Sequence, residues 1–134
     1  MTTTQIATIE TAVSIITIHE SGVGQMHFKD GIILDLEMQM EHLNALIKIA
    51  EGKKIPFVVT AGKHVNITPE ARDNAIVIED QSPVCATAVV VQNLAYRLIA
   101  DFYMKINKPK TPYKVFTDKS AAFEWCSLFL PTTK

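Results

Sequence analysis

The chain has 134 residues, 48% of them hydrophobic and 20% charged, which suits one globular domain with its own core and excludes a disordered chain. Its formal net charge of -1 supplies no global field to recruit nucleic acid or an anionic membrane. The longest apolar run, residues 87–91 and their neighbours, is too short to span a bilayer, and Met1-Thr2-Thr3-Thr4-Gln5-Ile6 lacks the basic start and apolar stretch of a signal peptide.

The N-terminal part reads as a hairpin. Residues 12–19 are rich in β-branched side chains, Glu20 to Gly24 form a turn, and residues 25–29 alternate, with Met26 and Phe28 inward. Residues 5–10 either prolong the first strand or form a separate arm. Asp35 is placed to cap a helix over 36–51, its carboxylate accepting from free amides of the first turn. Leu36, Met40, Leu43, Ile47 and Ala50 recur at helical spacing and define its expected buried face, with Gly52 as the stop. Residues 55–60 are almost wholly apolar, as in a strand covered on both sides.

Thr68-Pro69-Glu70 signals a second helix: a capping hydroxyl, proline at the first helical position, then an acid in the first turn. Residues 85–92 read as another buried strand and 94–106 as a helix with the apolar stripe Leu94, Leu98, Ile99, Phe102 and Ile106. After a loop bearing Pro109 and Pro112, residues 113–117 form the last strand. Asp118 caps a final helix whose Ala122, Trp125 and Phe129 face the core. Cys85 and Cys126, the two cysteines, sit in apolar segments and read as reduced core residues, which with the missing leader points to a cytoplasmic location. The expected order is β-β-α-β-α-β-α-β-α in a single domain spanning residues 1–134: an α/β fold with a mostly parallel sheet and an N-terminal antiparallel hairpin.

That order resembles the STAS domain and its SpoIIAA-like and lipid-carrier-like relatives. The segments Ile67-Thr68-Pro69-Glu70-Ala71-Arg72-Asp73, Ala86 to Val91, Phe102 to Pro109 and Lys114 to Trp125 look like an uncharacterised bacterial SpoIIAA-like family. The resemblance implies a fold and no established role. In STAS anti-sigma antagonists a phosphorylatable serine follows the third strand. Here that turn reads Val59-Thr60-Ala61-Gly62-Lys63-His64-Val65-Asn66, with Thr60 as the nearest hydroxyl and no matched acceptor for a phosphoryl charge.

The remaining residues offer little recognisable chemistry. His19 and His27 fall on paired strands, without a carboxylate or thiol at ligand spacing, and read as exposed polar positions on an edge hairpin. Ser82 has no nucleophile elbow, neither cysteine has a cation beside it, and Gly22-x-Gly24 opens no helix. No catalytic residue, metal site or cofactor is therefore expected. Thr60, Lys63, His64, Asn66 and Thr68 form a candidate anion site, since ligands of open α/β sheets collect beyond the carboxyl ends of strands near helix N-termini. Lys105, Lys108, Lys110 and Lys114 form a basic loop without aromatic interleaving, which argues against nucleic acid. Ile33, Leu34, Met38, Met40 and Leu128 to Leu130 exceed what one sheet face needs; any left exposed favours a homodimer contact or a hydrophobic ligand groove. The expectation is a non-catalytic protein-interaction or regulatory module, docking on a partner or self-associating. The alternative is a carrier or sensor for a lipid or anionic metabolite.

Overall fold

The computed structural model describes residues 5–92 and 110–131. The expected helix over 94–106 lies outside them, as do Lys105, Lys108, Phe102 and Tyr103. A six-stranded sheet forms the middle layer. Its strands are β1 (Gln5–Glu10), β2 (Ser14–His19), β3 (Gly24–Phe28), β5 (Ile55–Ala61), β7 (Val84–Val90) and β8 (Tyr113–Phe116), in that spatial order. The first three run antiparallel; from β3 onward every pairing is parallel. A two-stranded ribbon, β4 (Ile33–Leu34) with β6 (Asn66–Ile67), stands apart. Three α-helices lie among the described residues: α1 (Leu36–Ala50), α2 (Pro69–Val77) and α3 (Lys119–Ser127). None is long and apolar enough to cross a membrane.

Residues 5–10 make their own strand, so the hairpin becomes a three-stranded meander and β2 lies inside the sheet, not at its edge. Thr11 turns the corner: its hydroxyl oxygen accepts from the Val13 and Ser14 amides at 3.2 and 2.9 Å. In the next turn Gly22 takes φ +98°, a region open to glycine. Gly24 is needed for another reason. It pairs with Phe57, and a Cβ there would lie inside the Phe57 ring, which is itself fully buried.

The helix caps follow the sequence. Asp35 accepts from Met38 N–H at 2.9 Å, the Thr68 hydroxyl accepts from Ala71 N–H at 3.2 Å, and Asp118 accepts from Ser120 and Ala121. Each satisfies an amide that the helix leaves open.

Two cores flank the sheet. Ile16, Ile18, Met26 and Phe57 pack under α1, against Leu46, Ile49 and Ala50. On the other side Val23, Val58 and Ala88 pack against Ala122 and Cys126 of α3. Adjacent residues Phe57 and Val58 therefore serve opposite layers, as the period of a strand requires. Of the three residues expected to face the core, Ala122 is fully buried in it and Trp125 packs against it, while Trp125 and Phe129 meet edge-on, ring centroids 4.7 Å apart; Cys126 is buried beside Ala122.

The face of α1 differs from expectation. Leu36, Met40 and Ile47 are exposed, and the buried residues are Gln39, His42, Leu43, Leu46, Ile49 and Ala50. The buried face is turned by about 80° from the expected one, keeping Leu43 and Ala50, because Gln39 and His42 find buried hydrogen-bond partners that a count of apolar spacing cannot include.

Candidate functional site

The parallel strands place two recesses on the molecule. The first lies beyond the carboxyl ends of β5 and β7 and has a volume of about 560 Å³; Thr60, Lys63, His64, Asn66 and Gln92 line it. Four of the five residues singled out in the sequence are thus brought together. Thr68 is not among them, its hydroxyl being used to cap α2.

Thr60 is also occupied. Its hydroxyl meets His27 Nδ1 at 2.8 Å and receives Gln25 Nε2 at 3.3 Å, while Gln25 Oε1 meets His19 Nε2 at 3.2 Å. The four side chains form a polar chain across β2, β3 and β5. His27 stands opposite Ile15 rather than His19, so the two imidazoles are not cross-strand neighbours. His19, expected at the surface, is 8% exposed; its ring meets Phe123 of α3 edge-on, and its buried Nδ1 has no hydrogen-bond partner. Lys63 and His64 are exposed, and His64 holds φ +60°. A carboxylate enters the same loop: Asp30 Oδ1 accepts from Lys63 N–H at 2.8 Å and lies so close to Gly62 that a Cβ there would overlap it. This negative charge opposes binding of an anion beside Lys63.

The second recess is a cavity of about 310 Å³ between the sheet and the α1–α2 side. Its floor is Met26 and Val59 with Val84 and Thr87, its wall Leu43 and Leu46 of α1, and its cover Ala75 and Ile76 of α2. It exists because α2 hardly touches the sheet. Among α2's residues only Ala71 is buried. Polar bonds hold the helix instead: Gln39 Nε2 donates to Ala71 O at 2.7 Å and Asn74 Nδ2 donates to Gln39 Oε1 at 3.0 Å.

His42 lines this cavity and is 6% exposed. Its Nδ1 lies 2.8 Å from Ser14 Oγ and its Nε2 3.3 Å from Met26 Sδ, while Ser14 Oγ lies 2.8 Å from Thr11 Oγ1. Two relays fit these distances. A charged ring has Nδ1–H donating to Ser14, Ser14 to Thr11 and Thr11 to Ser14 O at 3.4 Å; the other relay has Thr11 donating to Ser14, Ser14 to Nδ1, and Nε2–H pointing at the weakly accepting sulfur. The imidazole is neutral in the second. Burial favours it, pushing the pKa from 6.5 down to about 4.

Glu79, in the 3₁₀ turn 79–81 after α2, closes one end. Its carboxylate accepts from Lys110 N–H, from Thr111 N–H and from the Thr111 hydroxyl, at 2.9 to 3.1 Å. The sequence signals that could have pointed here were faint: a histidine and a glutamine three residues apart on a helix, one turn from its cap.

Comparison with known proteins bears on the fold. A family model described as a domain of unknown function (DUF7793) matches residues 16–130. No curated protein matches the sequence significantly. Among solved structures, the chain is similar to an uncharacterised protein from the DUF3478 family with a SpoIIAA-like fold from Shewanella loihica PV-4. The TM-score is 0.58 at 11% identity, covering 94% of this chain and 96% of that one. At that identity the likeness carries the fold alone, and it agrees with the strand and helix order described above.

Proposed function

The chain belongs to the DUF7793 family, a domain of unknown function, and from its apolar cavity we propose that it is a non-catalytic module binding one small apolar molecule between α2 and the sheet. The observation that carries this is the cavity itself. At about 310 Å³ it reaches the lower end of ligand pockets, roughly 300–1,000 Å³, and most of its lining is aliphatic. It is about twice the size of an apolar cavity of ~150 Å³ that holds benzene, which suits a ligand of some ten to twelve non-hydrogen atoms by the same proportion. Such a domain acts as a carrier or sensor. The anionic-metabolite variant, at Thr60, Lys63, His64 and Asn66, draws less support, because Thr60 is already bonded and Asp30 shares the loop.

The test is a titration with the neutral fluorophore 1-naphthylamine, which has eleven non-hydrogen atoms. Saturable one-to-one binding is expected in the wild type, and Val84→Phe, which fills the cavity floor, abolishes it while keeping the circular dichroism spectrum. Absence of saturable binding, or equal binding by a folded Val84→Phe variant, overturns the proposal.

A second reading is a docking or self-associating module. It is favoured by Leu36 and Met40 of α1, Ile33 and Ile67 of the ribbon, and Ile76 and Val77 of α2, all exposed. Light scattering on the purified chain discriminates: a dimer dispersed by Met40→Lys supports it, and a monomer at high concentration removes the self-associating form.

A further inference from the structure

We infer that the cavity selects an uncharged ligand, mostly hydrocarbon, whose single polar atom is set against the hydroxyl of Thr87; this rests on the proposed ligand-binding role and defines its chemistry. The inference comes from the polar side chains on the lining; Tyr113, one of them, has a partner of its own. Gln39 uses both ends on Ala71 and Asn74, and His42 uses both ring nitrogens on Ser14 and Met26. Glu79 and the Thr111 hydroxyl are bonded to one another, and Glu79 also holds two backbone amides. Ser82 Oγ accepts from Val84 N–H at 3.1 Å. Among the described lining residues Thr87 differs: its backbone amide donates to Pro112 O, while its half-buried side-chain hydroxyl has no hydrogen-bond partner among the described residues. It is not among the buried polar atoms cut off from solvent, so a ligand oxygen or nitrogen would take the place of water on it.

Charge narrows the class further. Lysine and arginine are absent from the described lining, and the one fixed charge there is the Glu79 carboxylate. His42 is buried in this wall, and burial disfavours its charged form. A carboxylate or phosphate headgroup would therefore face a like charge, with no lysine or arginine among the described lining, which is unfavourable. A neutral alcohol, ketone or amide on an apolar skeleton meets neither obstacle. Thr87 sits mid-strand on β7, paired with Phe57 and Tyr113 on either side, so the hydroxyl is held by the sheet and not by a loop. Position is thereby fixed, as a specificity contact requires.

The experiment is displacement of bound 1-naphthylamine by three competitors of one skeleton: naphthalene, 2-naphthol and 2-naphthoate. The expected order has 2-naphthol strongest, naphthalene about fivefold weaker for the loss of one net hydrogen bond, and 2-naphthoate more than tenfold weaker than 2-naphthol. Thr87→Val, of nearly the same shape, removes the advantage of 2-naphthol and leaves naphthalene unchanged. Strongest displacement by 2-naphthoate, or an undiminished advantage of 2-naphthol in a folded Thr87→Val variant, overturns the inference while the cavity still binds. Failure of the fluorophore itself to bind the wild type overturns the ligand-binding role, and the two failures are thus separable.

Discussion

His42 makes stability fall with acidity over a defined window. In the folded chain burial holds its pKa near 4, against 6.5 for the free group. Above pH 6.5 both folded and unfolded chains carry a neutral imidazole, and the residue contributes no pH dependence. Between 6.5 and about 4 the unfolded chain takes up a proton that the folded chain refuses, so stability declines as pH drops. Below about 4 both are protonated and the decline levels off. At about 1.36 kcal/mol per unit the whole shift corresponds to about 3 kcal/mol, and to about 2 kcal/mol by pH 5. That is a sizeable part of the ~5–15 kcal/mol that holds a domain folded. The assay is urea unfolding at pH 7.5, 6.5, 5.5 and 5.0 for the wild type and His42→Asn, whose amide can still meet Ser14. The variant starts less stable because it loses the ring's contact with Phe28, centroids 5.1 Å apart. The informative quantity is the difference in slope: the wild type should lose about 2 kcal/mol more than the variant between pH 7.5 and 5. Parallel curves would refute the buried, neutral histidine.

Other substitutions follow from local contacts. Gly24→Ala drives a methyl into the Phe57 ring and should cost about 1–3 kcal/mol, seen as a lower urea midpoint. Adding Phe57→Leu should make the glycine change less costly, and independent costs would argue against the contact. Asp35→Ala removes the cap on Met38 N–H and should cost about 1 kcal/mol by the same measurement. Cys126 is fully buried, and burial, then the nearby Cys85, pushes its thiol up to about 12. At pH 8 it should stay silent toward a disulfide reagent until denaturant is added; prompt reaction in native buffer would contradict its place in the core.

Local chemistry was legible in the sequence where both partners lie within a few residues. Asp35, Thr68 and Asp118 each cap the amides expected of them, and the buried strands at 55–61 and 84–90 show as apolar runs. The face of α1 was not legible, because it is decided at a distance. Gln39 is buried by Ala71 and Asn74, more than thirty positions away, and His42 by Ser14 and Met26. Counting apolar residues alone put Leu36, Met40 and Ile47 inward instead. The residues at the ends of β5 converge as their position after a parallel strand implies, but not the partners of Thr60, since Gln25 and His27 come from the neighbouring strand. The cavity is legible from no segment, being a gap between elements.

The attachment of α2 bears on how fast a ligand could come and go. A helix that buries one alanine and hangs on three side-chain bonds to α1, the longest from Asn74 to Met40 Sδ, has little apolar area to lose when it swings away. Such an element opens for a fraction of the free energy of global unfolding. Its amides should therefore exchange with solvent well before those of α1 or β5, by hydrogen-exchange mass spectrometry, and ligand should slow them selectively. Association would then be set by how often this helix opens, not by diffusion to the surface. The residence time would depend on Gln39 and Asn74, neither of which needs to touch the ligand.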